Sequence, residues 1–343
     1  MTQKRKIKWA AGIAILAALT YFILTRYVFA DNLGYLTGDV FAHVDRPTHE
    51  TYINAFADGQ INWELAYWSA MIAEYTYAKP SYPAYNLALT TLGFTTARFY
   101  SYFTHNGISV DDLMVDVGIK QIGTDGQAGL TLVVFAFRGS VPLVLDSPAT
   151  RENMRRNMDF FSQPWRDVDA TVHRGFYDQY HDFLTYILPT VNERFDLDIL
   201  HSEGATNTDR MFWITGHSMG GALAEFLTLD LVENGIPPQN ILTHGFATPL
   251  IASRRLQAHA QSIGASTRIF NIVHTRDMVG RIGYGFIRGR SLAAQENTVR
   301  FGNSGIFDRN HHSLPRIYLP FIAAQNNQPL RRQMETSLVV VDI

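Results

Sequence analysis

Residues 211–232 read MFWITGHSMGGALAEFLTLDLV, and Asn234-Gly235 follows directly. The opening MFWIT is a short apolar run that fits a strand. The alanine- and leucine-rich part, 222–232, fits a helix that the Asn-Gly pair ends. Between them stands Gly216-His217-Ser218-Met219-Gly220. A G-x-S-x-G joining strand to helix demands a very sharp turn. Glycines remove the Cβ atoms that would collide there, and the turn lifts the Ser218 oxygen clear of the backbone in a strained conformation. The plainer alternative is a glycine-rich loop that merely closes a βα unit.

Outward from this stretch the pattern alternates. Residues 130–137, LTLVVFAF, are an unbroken β-branched and aromatic run suited to a strand buried on both faces. Residues 119–122 look like a short strand, and Gly123-Thr124-Asp125-Gly126 like a turn. Residues 241–247 and 268–273 read as two further strands. Residues 176–195 read as a helix carrying Phe176, Tyr180, Phe183, Ile187 and Val191. Residues 61–77 read as a helix with one apolar face made by Ile61, Leu65, Trp68, Met71, Ile72 and Tyr75. It stops at Lys79-Pro80, and a loop-and-aromatic region runs on to about Phe103. Strands alternating with helices predict βαβ units and a mostly parallel sheet, with helices on both faces. In such sheets the reactive residues gather where strands end and helices begin.

Composition narrows the function classes. The chain has 343 residues, 46% hydrophobic and 17% charged, so it holds enough apolar material for a large core. A formal net charge of -2 provides no basic field for phosphate backbones, which sets nucleic-acid partners aside. There is no cysteine, hence no disulfide, thiolate metal site or cysteine nucleophile. At the N-terminus Lys4, Arg5, Lys6 and Lys8 precede an uncharged span, 9–25. That order predicts export, with residues 1–30 either a cleaved signal peptide or a retained membrane anchor. Val28 and Ala30 fit cleavage, and Arg26 fits a short anchor. The remainder, 31–343, reads as a single domain outside the cytoplasm.

A serine hydroxyl needs a base to take its proton, and the base needs a carboxylate to fix its tautomer. Asp277 follows the strand at 268–273. His311 and His312 come later, and of the two His312 is preferred as base. Serine, acid, histidine is the chain order this chemistry takes on such a sheet. The developing oxyanion needs donors. The Met219 backbone N–H follows the nucleophile, and Ser140 follows the strand at 130–137. No cofactor or metal enters this reading.

Five segments in this order resemble the class 3 lipase family: VFAFRGS (134–140), VHRGF (172–176), ITGHSMGGALA (214–224), THGFATP (243–249) and RIFNIVHTRDMV (268–279). The resemblance covers about residues 60 to 320. It implies an α/β-hydrolase fold and hydrolysis of lipid esters, most simply triacylglycerols, at a membrane or droplet surface. Phospholipase A1 or general carboxylesterase activity is the alternative, and a non-catalytic, membrane-tethered module keeping the fold is a third reading. It implies Ser218, Asp277 and His312 as the triad and Ser140 with Met219 as oxyanion donors. His173 is similar to a family residue with a structural role.

Two departures stand out. The stretch after the R-G-S motif, about 141–165, is longer than the family's short lid. It mixes Arg151, Arg155 and Arg156 with Met154, Met158, Phe160 and Phe161. It reads as an amphipathic lid-like insertion giving membrane contact, or as a solvated surface loop. Asp277-Met278-Val279-Gly280 replaces the family's D-x-V-P pattern, so Asp308 is the fallback acid. Oligomeric state is not legible in the sequence.

Overall fold

The computed structural model describes residues 34–36, 44–78, 86–105, 108–123, 129–140, 155–156, 159, 161–200, 209–281, 289–303, 309–326 and 338–340. The N-terminal span, most of the lid-like insertion and Asp308 lie outside these residues. Among the described residues no helix is long and apolar enough to cross a membrane.

The strands are β1 (Gly34–Leu36), β2 (Thr95–His105), β3 (Ile108–Ile122), β4 (Leu130–Phe137), β5 (Ser162–Trp165), β6 (Val168–His173), β7 (Arg210–His217), β8 (Ile241–Phe246), β9 (Ile269–His274), β10 (Thr298–Phe301) and β11 (Leu338–Val340). The helices are α1 (His49–Asp58), α2 (Trp63–Tyr75), α3 (Leu87–Thr91), α4 (Arg174–Asp182), α5 (Leu188–Phe195), α6 (Met219–Glu233), α7 (Arg254–Ser262) and α8 (Leu319–Gln325). A seven-stranded sheet runs β10-β9-β8-β7-β4-β3-β2. From β4 to β10 every pairing is parallel, and β3 and β2 add an antiparallel edge. This is the mostly parallel sheet that the alternation predicted, and it fits the α/β-hydrolase fold that the resemblance implied.

The pleat sorts side chains onto two cores. Leu132, Val134 and Ala136 face a core shared with α1, α2, α3 and α8. Val133, Phe135 and Phe137 face the other, shared with α4, α5, α6 and α7. Each core is a contiguous cluster of buried side chains, so truncating a fully buried ring such as Phe135 to Ala is expected to cost about 3–5 kcal/mol.

Helix α2 differs from its amphipathic reading. It begins at Trp63, where the Asn62 side chain accepts the Leu65 N–H at 3.0 Å, and Leu65 through Tyr75 are all buried. The helix is covered on one side by the sheet and on the other by α8, so no face reaches water. The stretch expected to be loop up to Phe103 instead holds α3 and most of β2. Strand β3 is far longer than the predicted 119–122. Its Asp116 is buried and takes a bidentate pair from Arg98 on β2, at 2.6 and 2.7 Å. Arg98 also donates to the Tyr75 and Ala78 carbonyls, tying the hairpin to the end of α2.

The predicted helix 176–195 is α4, one widened turn over 183–187, and α5. In that turn the Leu188 N–H bonds the Phe183 carbonyl five residues back, just ahead of Pro189, which has no N–H to give. The end of the lid-like stretch is corrected too. Residues 162–165 form β5, paired antiparallel with β6, and Trp165 is buried with its indole N–H on Glu233 of α6.

Candidate functional site

The parallel strands β4, β7, β8 and β9 end on the same side of the sheet, and Ser140, Ser218, Met219 and Asp277 follow β4, β7 and β9 there within a few residues. Ser218 follows β7 and stands at the N-terminus of α6 with φ 58° and ψ -126°. This conformation is costly for a residue bearing a Cβ, and it survives only because its surroundings enforce it. The Ser218 N–H is anchored to the Phe246 carbonyl of β8 at 2.8 Å. A Cβ on Gly216 would lie 2.2 Å from the Gly220 backbone, and one on Gly220 would lie 2.1 Å from the Phe137 carbonyl oxygen. Both glycines are therefore required by close backbone approach, as the sequence reading supposed.

Asp277 and His312 are paired. His312 Nδ1 lies 2.9 Å from Asp277 Oδ2 and 3.1 Å from Oδ1, and both side chains are buried. Against a carboxylate Nδ1 carries the proton, leaving Nε2 as the basic nitrogen. Asp277 Oδ1 also accepts the Val279 N–H at 2.9 Å, and Oδ2 accepts the Tyr318 hydroxyl proton at 2.6 Å. The same tyrosine oxygen accepts the His274 backbone N–H at 3.1 Å. Tyr318 is fully buried, and burial beside Asp277 pushes its pKa well above the usual value, so it remains a donor.

His312 is brought to the elbow through the residue before the serine. His217 Nε2 lies 2.9 Å from the His312 carbonyl oxygen, and the two rings are 4.6 Å apart. His311 turns away and stacks on His274 at 4.3 Å. The adjacent pair is thus divided: His312 meets the acid, and His311 packs on a neighbouring ring.

Ser140 is buried, and its Oγ touches Met219 Sδ at 3.5 Å, which sets the loop after β4 beside the start of α6. The first backbone N–H groups of a helix have no intrahelical acceptor, and the dipole there favours negative charge. His173 caps α4: its Nδ1 accepts the Phe176 N–H at 3.3 Å, and its ring stacks on Phe176 at 4.2 Å. Among the described residues no group of three or more His, Asp or Glu could hold a metal ion.

Tyr318, Tyr77 and His217 were not singled out by sequence reasoning. Tyr318 lies 41 residues from its acceptor and Tyr77 140 from its own, so no spacing rule reaches them.

Residues 134–285 match the family model for lipase (class 3). Among solved structures the chain is similar to the triacylglyceride lipase of Rhizomucor miehei, at 19% identity over 66% of this chain and 76% of that one, with a TM-score of 0.46. It is also similar to a lipase from Rhizopus microsporus var. chinensis, at 20% identity over 76% and 80%, with a TM-score of 0.43. A third is the Lip2 lipase of Yarrowia lipolytica, at 17% identity over 66% and 78%, with a TM-score of 0.44. No curated protein matches the chain.

Proposed function

We propose that this chain, a carboxylic ester hydrolase whose residues 134–285 match the class 3 lipase model, cleaves acylglycerol esters through an acyl-enzyme on Ser218. Ser218 attacks the ester carbonyl while His312 Nε2 takes its proton. Asp277 holds the ring and stabilises the imidazolium. The Met219 N–H and Ser140 receive the oxyanion. The imidazolium then protonates the departing alcohol, and water repeats the cycle to free the fatty acid.

The observation that carries this reading is the Asp277–His312 pair at 2.9 Å, with the His312 carbonyl bonded to the residue that precedes Ser218. The order of roles follows from it: the acid-facing nitrogen is protonated, so the other is the base.

The test is hydrolysis of a p-nitrophenyl ester by Ser218→Ala. A loss of roughly a million-fold in kcat is expected. Near-normal turnover by that variant sinks the mechanism. A fluorophosphonate probe separates enzyme from binding module, since only an activated Ser218 is labelled. A rate that jumps when tributyrin passes its solubility limit favours a lipid-surface substrate, and a smooth curve favours a general esterase. A panel including phospholipids separates out phospholipase A1.

Export rests on the basic and then apolar order of residues 1–30, and the reading of 31–343 as one catalytic domain rests on the shared sheet. The intact mass of protein from its native host distinguishes a cleaved signal from a retained anchor. The same N-terminal segment, and the lid-like insertion beside β5, are the proposed points of contact with a lipid surface.

A further inference from the structure

Three segments must keep a common register for this chemistry: the loop after β4, the elbow, and the segment bearing His312. One hydrogen-bonded chain joins the elbow to the His312 segment and packs against the loop after β4. The Tyr77 hydroxyl lies 2.9 Å from His217 Nδ1, and His217 Nε2 lies 2.9 Å from the His312 carbonyl oxygen. Gly139, in the loop after β4, packs directly against the same Tyr77 hydroxyl. The approach is so close that a Cβ on Gly139 would stand 2.0 Å from the Tyr77 oxygen and 2.6 Å from the His217 carbonyl oxygen.

Chemistry sets the direction of the chain. A carbonyl only accepts, so His217 Nε2 carries the proton. Its Nδ1 is then an acceptor, and the Tyr77 O–H must donate to it. Burial holds His217 neutral, with a pKa well below the ordinary histidine value, so this tautomer persists. Tyr77 gives to His217, and His217 gives to the backbone of the base, while Gly139 packs against the Tyr77 oxygen. Gly139 precedes Ser140, His217 precedes Ser218, and the final acceptor belongs to His312. Each link thus acts on a residue of the reaction or on its immediate neighbour.

We propose that Tyr77 and His217 are positioning residues that set oxyanion donor, nucleophile and base in register through this one chain. The proposal rests on the hydrolase reading above. Removing the Tyr77 hydroxyl frees His217 to place its proton on Nδ1. Its Nε2 lone pair would then face the His312 carbonyl, and the base would move. A displacement of about 1 Å at such a centre costs on the order of a hundred-fold in rate.

The test uses the full chain with p-nitrophenyl butyrate, comparing wild type with Tyr77→Phe, His217→Ala, His217→Gln and the Tyr77→Phe/His217→Ala pair. Tyr77→Phe is expected to lower kcat roughly ten- to a hundred-fold with KM within about twofold. His217→Gln keeps an N–H donor near the Nε2 position and should recover much of the activity lost in His217→Ala. Because both side chains serve one chain, the double variant should be no slower than the slower single. A Tyr77→Phe kcat within about twofold of wild type, or losses that multiply in the double variant, overturns the proposal. If Tyr77→Phe does not fold, the Gln-to-Ala ratio at position 217 decides: about tenfold or more supports the chain, and near one overturns it. Wild-type labelling of Ser218 by a fluorophosphonate is measured alongside. With labelling intact and Tyr77→Phe normal, only this inference fails. With no labelling, the hydrolase reading fails, and this one goes with it.

Discussion

Two buried histidines, His244 and His312, are held in different ways, and only His312 has a carboxylate behind its ring. In the core under β7 and β8, Ser69 Oγ lies 2.9 Å from His244 Nδ1 and accepts the Trp213 indole N–H at 2.7 Å. At the ends of the parallel strands, Asp277 stands behind the His312 imidazole, and the His312 carbonyl bonds the residue that precedes Ser218. The contrast separates pairing from activation. Ser69 lies in the middle of α2 with ordinary helical backbone, and among the described residues no group bonds His244 Nε2. Burial alone drives the His244 pKa down to about 3, which leaves it a poor proton acceptor. Ser218 has the strained turn, a helix N-terminus and a carboxylate to stabilise the charged base. A serine beside a histidine is therefore common structure, and the third group is what turns it toward catalysis.

The comparison can be broken from its active side first. Asp277→Asn leaves the shape and removes the charge, and His312 is then free to take the wrong tautomer. A drop of about 10⁴-fold in kcat is expected from steady-state kinetics. A drop of less than about tenfold would mean that the carboxylate is not what distinguishes the two histidines. Ser140→Ala is the next largest effect, on the order of a hundred- to a thousand-fold in kcat. An unchanged rate would assign that donor to the backbone alone.

The core side is tested by stability. Ser69→Ala strips His244 Nδ1 and the Trp213 N–H of their partner and should cost about 1–3 kcal/mol in urea unfolding. Turnover per folded molecule should stay within a few-fold of wild type. A large loss of kcat without a loss of stability would erase the distinction.

The last effect is a pH dependence. Folded His244 has its pKa lowered from 6.5 to about 3, so the unfolded chain binds the extra proton. Stability from this residue is present above about pH 6.5 and declines as pH falls toward about 3. His244→Gln should flatten that part of the stability curve relative to wild type, and an unchanged slope would place the proton elsewhere.

The sheet was legible because its parallel part is chemically monotonous. Strand β4 stands where 130–137 was predicted, and β7, β8 and β9 agree to within a few residues, since strands covered on both faces must be continuous apolar runs. The antiparallel edge was not. Asp111, Asp112 and Asp116 make β3 look like a loop, and the buried Arg98 that pairs with Asp116 lies on another strand. Charge is normally a mark of solvent, so a buried pair hides a strand from any local reading. The extent of α2 was misjudged for the opposite reason: periodicity reports one apolar face and cannot know that a second layer covers the other.

By itself the sequence determined the elbow, the chain order of Ser218, Asp277 and His312, and the family likeness that residues 134–285 carry. These are local: glycine spacing, apolar runs and short motifs act within a turn or two of the backbone. Only the tertiary structure paired Asp277 with His312 and stacked His311 on His274, supplied Tyr318 behind Asp277, and joined Tyr77 to His217 and the His312 carbonyl. Hydrogen bonds reach about 3 Å, whereas these partners stand 41 to 140 residues apart, so nothing short of the folded sheet could bring them within range.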